Sequence, residues 1–228
     1  MTTDVTGILR ETSLLRSVPP EDLKALAAAS RLRSFRRGQV VFTRSDPGDT
    51  VIVVASGRVK VTVRSADGGE LTLAIIPPGG LLGELGVVDG GPRSADAETL
   101  EDSQLLLIPR EAVRDVCASV PAAAQALTSS IAATLRRLTE ATADLVFLDL
   151  PRRVAKVLLS QPRGDDGIIK PRLSQEELAH QVASTRQSVN AALRGFERRG
   201  WIEMHDRTVT VRQPAALARF AGTELSAS

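Results

Sequence analysis

Six glycines and one proline fall within sixteen residues, Gly79-Gly80-Leu81-Leu82-Gly83-Glu84-Leu85-Gly86-Val87-Val88-Asp89-Gly90-Gly91-Pro92-Arg93-Ser94. Such punctuation forbids a long helix here and marks tight, left-handed backbone. Glu84, Arg93 and Ser94 put an acceptor, a cation and a hydroxyl on that one loop. A planar guanidinium grips a phosphate bidentately, a serine adds a donor, and a carboxylate accepts from a sugar hydroxyl. Backbone N–H groups of Gly83, Glu84 and Leu85 add donors for an anion if a helical turn starts there. Read this way the stretch cradles a sugar and a phosphate. The same residues also suit a plain turn in which Glu84 and Arg93 pair with each other.

The surroundings are β-rich. Short runs rich in Val, Ile, Leu and Thr occupy 39–43, 51–56, 58–64, 70–76, 95–100 and 103–108, separated by turns at Asp46-Pro47-Gly48-Asp49, Ser56-Gly57 and Ala66-Asp67-Gly68-Gly69. Many short strands at near-regular spacing predict an antiparallel roll or barrel. One Trp, five Phe and no Tyr make its core aliphatic. Before it, a polar start leads to a helix opening at Pro19-Pro20-Glu21-Asp22 and ending near Ser30, with acids in its first turn.

After the strands, residues 110–120 read as a short helix and Pro121 starts a long one. Leu127, Ile131, Thr134, Leu138, Ala141, Leu145 and Leu148 recur at alternating spacings of four and three, a heptad seam that predicts a parallel helix pair and hence a homodimer. Packing of the helix on its own roll is the alternative. Asp149 is placed as an N-cap before Pro151, which makes Phe147-Leu148-Asp149-Leu150-Pro151 a hinge.

Residues 161–171 read as loop. Ser174 and Glu177 then form a capping box, Thr185 caps a second helix, and Gly200 closes it. Two helices joined by so short a turn, with Leu178, Val182, Val189, Leu193 and Phe196 apolar, make a helix-turn-helix. Residues 201–204 and 208–212 flank His205-Asp206-Arg207 as a two-stranded wing. Charge agrees: residues 150–228 hold 13 Lys and Arg against 8 Asp and Glu, while residues 1–149 hold 16 against 19. The basic tail is expected to meet a polyanion.

Other classes are disfavoured. One cysteine, Cys117, makes no internal disulfide and reads as a small apolar residue on a helix face. With His180 and His205 far apart and no nucleophile or ligand spacing near either, neither a metal nor catalysis is expected. Arg198 and Arg199 read as solvated charges. No run is apolar enough to cross a bilayer and no leader precedes it, so a cytoplasmic protein with no membrane partner is expected.

In this order the parts resemble the CRP/FNR family of bacterial transcription regulators over nearly the whole chain. The resemblance rests on Gly38, Gly48 and Gly57 in the turns, Gly83-Glu84-Leu85 with Arg93-Ser94, Phe147-Leu148-Asp149, and the segment from Ser184 to Leu193. It implies an α+β chain: an N-terminal antiparallel β-roll of the cyclic-nucleotide-binding kind (1–120), a dimerisation helix and hinge (121–149), and a C-terminal winged helix-turn-helix that binds DNA (150–228). It also implies that Gly83, Glu84, Leu85, Arg93 and Ser94 hold the ribose 2′-hydroxyl and cyclic phosphate of cyclic AMP or a related cyclic nucleotide. The oxygen-sensing branch, by contrast, needs a cysteine cluster that this chain lacks. The implied partners are a homodimer mate and a near-palindromic double-stranded operator. Whether the chain touches RNA polymerase or represses by occlusion stays open.

Two positions depart from the family. Where a threonine meets the adenine amino group, this chain has Leu138 followed by Thr139. Leucine packs against a base but cannot hydrogen-bond it, so the effector can differ, or DNA binding can dispense with one. In the recognition helix, Arg-Glu-Thr-Val becomes Arg186-Gln187-Ser188-Val189, followed by Asn190. Arg186 still fits guanine, whereas an amide at Gln187 pairs better with adenine than with cytosine. Ser188 and Arg194 read as phosphate contacts, and Ser184 and Thr185 complete the DNA-facing set.

Overall fold

The computed structural model describes residues 4–164, 168–171, 173–205 and 208–223. The contacts divide the chain into two units, one of residues 1–63 and 73–138, the other of residues 64–72 and 139–228.

The first unit opens with two helices, α1 (Val5–Glu11) and α2 (Pro20–Ala29). The polar start expected from the sequence is thus partly helical: Asp4 accepts a hydrogen bond from the Gly7 N–H, and Leu9 is buried. The β-roll follows as two four-stranded sheets. One is ordered β1 (Arg31–Phe35), β8 (Ser103–Pro109), β3 (Thr50–Ser56), β6 (Leu81–Leu82). The other is ordered β2 (Val40–Phe42), β7 (Asp96–Thr99), β4 (Val59–Arg64), β5 (Glu70–Ile76). The pairings in register are antiparallel, as expected from the turn spacing, and run from Arg31 opposite Leu107 to Phe35 opposite Ser103, and from Val51 opposite Ile108 to Val54 opposite Leu105. Val51, Val53, Leu106 and Ile108 face a core closed by α2 and by α4 (Arg110–Ser119); Ile52, Val54 and Leu105 face the other sheet. This is the two-sided alternation of a central strand.

Helix α5 (Pro121–Phe147) bears the expected seam, but the seam changes role along its length. Ala123 and Leu127 are buried in the roll's own core and Ile131 packs against it. Only further on does the helix carry exposed apolar side chains: Leu135, Leu145, Val146 and Phe147. A seam with its first turns already covered is not free for a partner there, which corrects the uniform heptad reading.

The second unit holds α6 (Leu150–Leu159), α7 (Gln175–Gln181), α8 (Arg186–Arg198), the antiparallel pair β9 (Ile202–His205) and β10 (Thr208–Val211), and α9 (Pro214–Ala221). Val154, Leu158, Ile169, Leu178, Val189, Leu193, Phe196 and Leu217 make one core. Within the expected loop, Ile169 forms isolated bridges to Arg163 and Val211. Asp165, Asp166, Gly167, Asp206 and Arg207, read from sequence as loop and wing turn, lie outside the described residues. The turn Arg64–Thr72, which links β4 to β5, clusters with this unit. Among the described residues no single helix is long and apolar enough to cross a membrane.

Phe196 is fully buried, with ring centroids 5.9 Å from Trp201 and 5.7 Å from Phe220. Phe196→Ala is expected to destabilise the second unit by about 3–5 kcal/mol. Urea unfolding followed by the fluorescence of Trp201, the chain's single tryptophan, checks this value directly.

Candidate ligand cavity and nucleic-acid interface

The glycine-rich stretch folds into β6, a one-turn helix α3 (Leu85–Asp89) and a loop that returns to β7. Its glycines serve two purposes. Gly79, Gly83 and Gly90 have φ between 69° and 80°, as expected of left-handed backbone. Gly80, Gly86 and Gly91 do not, and they correct that reading: a Cβ on Gly86 would lie 2.7 Å from the Gly48 carbonyl oxygen, so glycine here permits close approach.

The loop borders a cavity of about 500 Å³ whose wall includes Gly83, Glu84, Leu85, Arg93 and Ser94. Arg93 is only 6% exposed. Its backbone is fixed by hydrogen bonds at 2.9 Å, from its N–H to the Asp46 carbonyl and to its own carbonyl from the Ser45 N–H. Its guanidinium stacks 4.3 Å from the Phe42 ring centroid and donates through Nη2 to Thr50 Oγ1 at 2.7 Å. The remaining donors, Nε and Nη1, are buried and have no hydrogen-bond partner. A Cβ at Gly83 would fall 2.0 Å from Nη1, so only glycine leaves room for the fork.

Among the described residues no ion pair joins Glu84 to Arg93, which removes the alternative of a self-satisfied turn. Burial pushes the Glu84 carboxyl above the ordinary glutamate value, and the charges of Arg137 and Arg93 pull partly the other way. Burial also lowers the Arg93 guanidinium, opposed by Asp49, Asp46 and Glu84; it remains a cation at neutral pH. The cavity therefore offers two unused cationic donors beside a half-buried acceptor. That donor set suits an anion attached to a hydroxyl-bearing group.

Across the cavity, α5 contributes Ser130, Ala133, Thr134, Arg137 and Leu138. Leu138 borders the cavity, whereas Thr139 is not among the residues lining it. Arg137 was missed. The signal for it was helical period alone, since 130, 133, 134, 137 and 138 share one face.

In the second unit the expected caps all form. The Ser174 hydroxyl accepts from the Glu177 N–H at 3.1 Å while the Glu177 carboxylate accepts from the Ser174 N–H at 2.6 Å. Thr185 Oγ1 accepts from the Ser188 N–H at 3.2 Å. Ala183, at φ 49°, turns the chain between α7 and α8. The buried Val189, Ala192, Leu193 and Phe196 leave Thr185, Arg186, Gln187 and Arg194 exposed, with Ser184, Ser188 and Asn190 half-buried. Gln187, Asn190 and Arg194 lie three and four residues apart, on one face of α8. Arg199, read from sequence as a solvated charge, lies over Trp201 at 4.9 Å and Phe220 at 5.7 Å.

The junction between α5 and α6, expected from the sequence to be a hinge, is held from both sides. Asp149 caps α6 by accepting from the Arg152 N–H at 3.0 Å. The Arg153 guanidinium donates to the Leu148 carbonyl at 2.9 Å and to the Val182 carbonyl at 3.3 Å. Lys156 pairs with Asp144 of α5 at 2.6 Å.

A β-roll with an anion-ready cavity and a separate winged helix-turn-helix define a class, that of ligand-responsive DNA-binding regulators. Comparison with known proteins agrees. The model of the cyclic nucleotide-binding domain matches residues 32–120, and that of the Crp-like helix-turn-helix domain matches residues 152–220. The chain belongs to the CRP/FNR family of transcription regulators, which are not enzymes and act through DNA binding. It is 36% identical over 220 residues to the CRP-like cAMP-activated global transcriptional regulator of Mycobacterium tuberculosis, covering 94% of this chain and 98% of that one. It is 31% identical over 216 residues to the cyclic AMP receptor protein of Thermus thermophilus, covering 93% and 98%. Among solved structures, a CRP-family transcriptional regulator, also of Thermus thermophilus, superposes with a TM-score of 0.70 at 27% identity, covering 86% of this chain and 100% of that one.

Leaving buried donors unsatisfied costs free energy that a side chain without donors does not. Arg93→Met is therefore expected to melt no lower than the parent chain in a thermal scan. A clear fall in melting temperature would show that the guanidinium serves structure.

Proposed function

We propose that the chain is a homodimeric, sequence-specific DNA-binding transcription regulator controlled by a cyclic nucleotide, cyclic AMP foremost. The observation that carries the reading is Arg93, buried in the cavity wall with Nε and Nη1 unpartnered. In this reading Arg93 and Ser94 hold the cyclic phosphate, Glu84 accepts from the ribose 2′-hydroxyl, and Gly83 and Leu85 shape the cradle. Leu138 packs on the base, and Thr139 reaches a base only from the partner's helix. The nucleotide-binding region is 1–120, the dimerisation helix and hinge 121–149, and the DNA-binding region 150–228. One relative is a cAMP-activated regulator and another a cyclic AMP receptor protein, which supports the choice of nucleotide.

The exposed Leu135, Leu145, Val146 and Phe147 support a helix pair along the second half of α5. Two-fold symmetry would then set two α8 helices about 34 Å apart, in successive major grooves of a near-palindromic duplex. The ligand acts only through its different affinity for the DNA-competent and incompetent arrangements. Leu138 favours a second reading, a regulator of the same fold that answers another effector or needs none.

Calorimetric titration with cyclic AMP separates the two readings. Saturable binding by the parent and none by folded Arg93→Met is expected. No heat with cyclic AMP or cyclic GMP, from a protein that still shifts DNA, leaves the second reading.

The raised Glu84 carboxyl sets a pH dependence. Only the carboxylate accepts from a ribose hydroxyl without reorienting a proton, so nucleotide affinity is expected to fall as pH drops from neutral. The fall begins above the ordinary glutamate value of about 4.3. Glu84→Gln should weaken binding and flatten the profile; an unchanged profile in that variant assigns the titration elsewhere.

On the DNA side, Arg186→Ala is expected to cost about 1–3 kcal/mol and relax preference at one base pair, while Arg194→Ala weakens all sequences alike. Binding to a library of duplex variants reads both.

A further inference from the structure

The cradle of Glu84, Arg93 and Ser94 forms one wall of the cavity, so a base attached to the sugar must lie against what remains. All of that wall belongs to the first unit. Strands β4 and β5 line it with Val61, Leu73, Ala74, Ile75 and Ile76, whose side chains pack against a flat ring but make no hydrogen bond to its edge. The polar side chains left are the hydroxyls of Ser13, Ser130 and Thr134 and the guanidinium of Arg137. Leu138, next to Arg137 on α5, has neither donor nor acceptor.

Arg93 is buried and donates to Thr50, whereas Arg137 is exposed at the border of the cavity. Among the described residues no hydrogen bond or ion pair occupies the Arg137 guanidinium. Its charge nonetheless reaches the cradle, where it opposes the effect of burial on the Glu84 carboxyl, ahead of Arg93. Arg137 therefore acts on the acceptor for the sugar without being paired to it. A guanidinium is a planar fork that gives two parallel N–H bonds and accepts none. The edge that matches it is a pair of neighbouring acceptors. Guanine presents such a pair at O6 and N7; adenine presents N7 beside its N6 amino group, so one bond forms and a donor faces a donor. The hydroxyls of Ser130 and Thr134 both donate and accept, and so discriminate between neither.

We propose that Arg137 reads the base by donating to O6 and N7 of a 6-oxopurine, and that the cavity therefore accepts cyclic GMP alongside cyclic AMP. The inference rests on the reading of the cavity as a cyclic-nucleotide site and deepens it by assigning a specificity-determining residue. Leu138 covers the ring face while Arg137 takes the edge. The fork is what matters, because a lysine keeps the charge but cannot make the two parallel bonds.

Calorimetric titration of the full-length protein with cyclic AMP, cyclic GMP and cyclic IMP tests this on the parent, Arg137→Gln and Arg137→Lys, each checked for a cooperative melt. Cyclic IMP keeps O6 and N7 but lacks the guanine amino group, so it isolates the proposed contact. The parent is expected to bind all three. Both variants are expected to lose at least about tenfold more affinity for cyclic GMP and cyclic IMP than for cyclic AMP. A parent that binds cyclic AMP and excludes cyclic GMP overturns the inference and leaves the nucleotide reading standing. An equal loss for all three ligands, or a lysine variant that keeps the parent's ratio, overturns it too, since either assigns Arg137 a general pull on the anion. A loss for cyclic GMP without one for cyclic IMP places the contact at the amino group and has the same result. Should none of the three bind to a folded parent, the nucleotide reading falls and this inference with it.

Discussion

The buried guanidinium of Arg93 is the constraint around which the first unit is built. A cation 6% exposed, with two of its donors unpaired, is a standing cost unless something negative enters beside it. The chain holds the group there with the Phe42 ring, the Thr50 hydroxyl, the Asp46 and Ser45 backbone, and the missing Cβ of Gly83. Four separate segments converge on this one residue. Function explains that expense better than stability does, because a hydrocarbon would fill the same place without a desolvated charge.

From that cavity one element continues into the second unit. It is α5, whose early turns are fixed in the roll's core, whose middle borders the cavity through Thr134, Arg137 and Leu138, and whose last turns are bonded by Arg153 at the Leu148 carbonyl and by Lys156 at Asp144. The same helix that closes the cavity bears the exposed Leu145, Val146 and Phe147, so in the proposed reading ligand binding and helix pairing draw on one element.

Much of this was legible in the sequence because local chemistry dictates it. The capping box at Ser174, the N-caps at Asp149 and Thr185 and the left-handed Gly200 all form where residue type alone placed them. Glu84, Arg93 and Ser94 meet at one cavity because they share one loop. What escaped depends on distance in the chain. Arg137 reaches the cavity only because α5 folds back across the roll. The heptad spacing is present in the helix but does not say which turns the roll already covers. Helix α1 escaped because it is seven residues long and fixed by burial of Leu9, which propensity does not record.

In the proposed reading Arg93 waits for a phosphate. Nuclear magnetic resonance of the arginine Nε–H groups, assigned through Arg93→Met and followed during addition of cyclic AMP, tests it at the atom concerned. The Arg93 Nε–H signal is expected to shift and to become protected from exchange with water as the nucleotide saturates the cavity. A nucleotide that binds while the Arg93 signal stays where it was would contradict it.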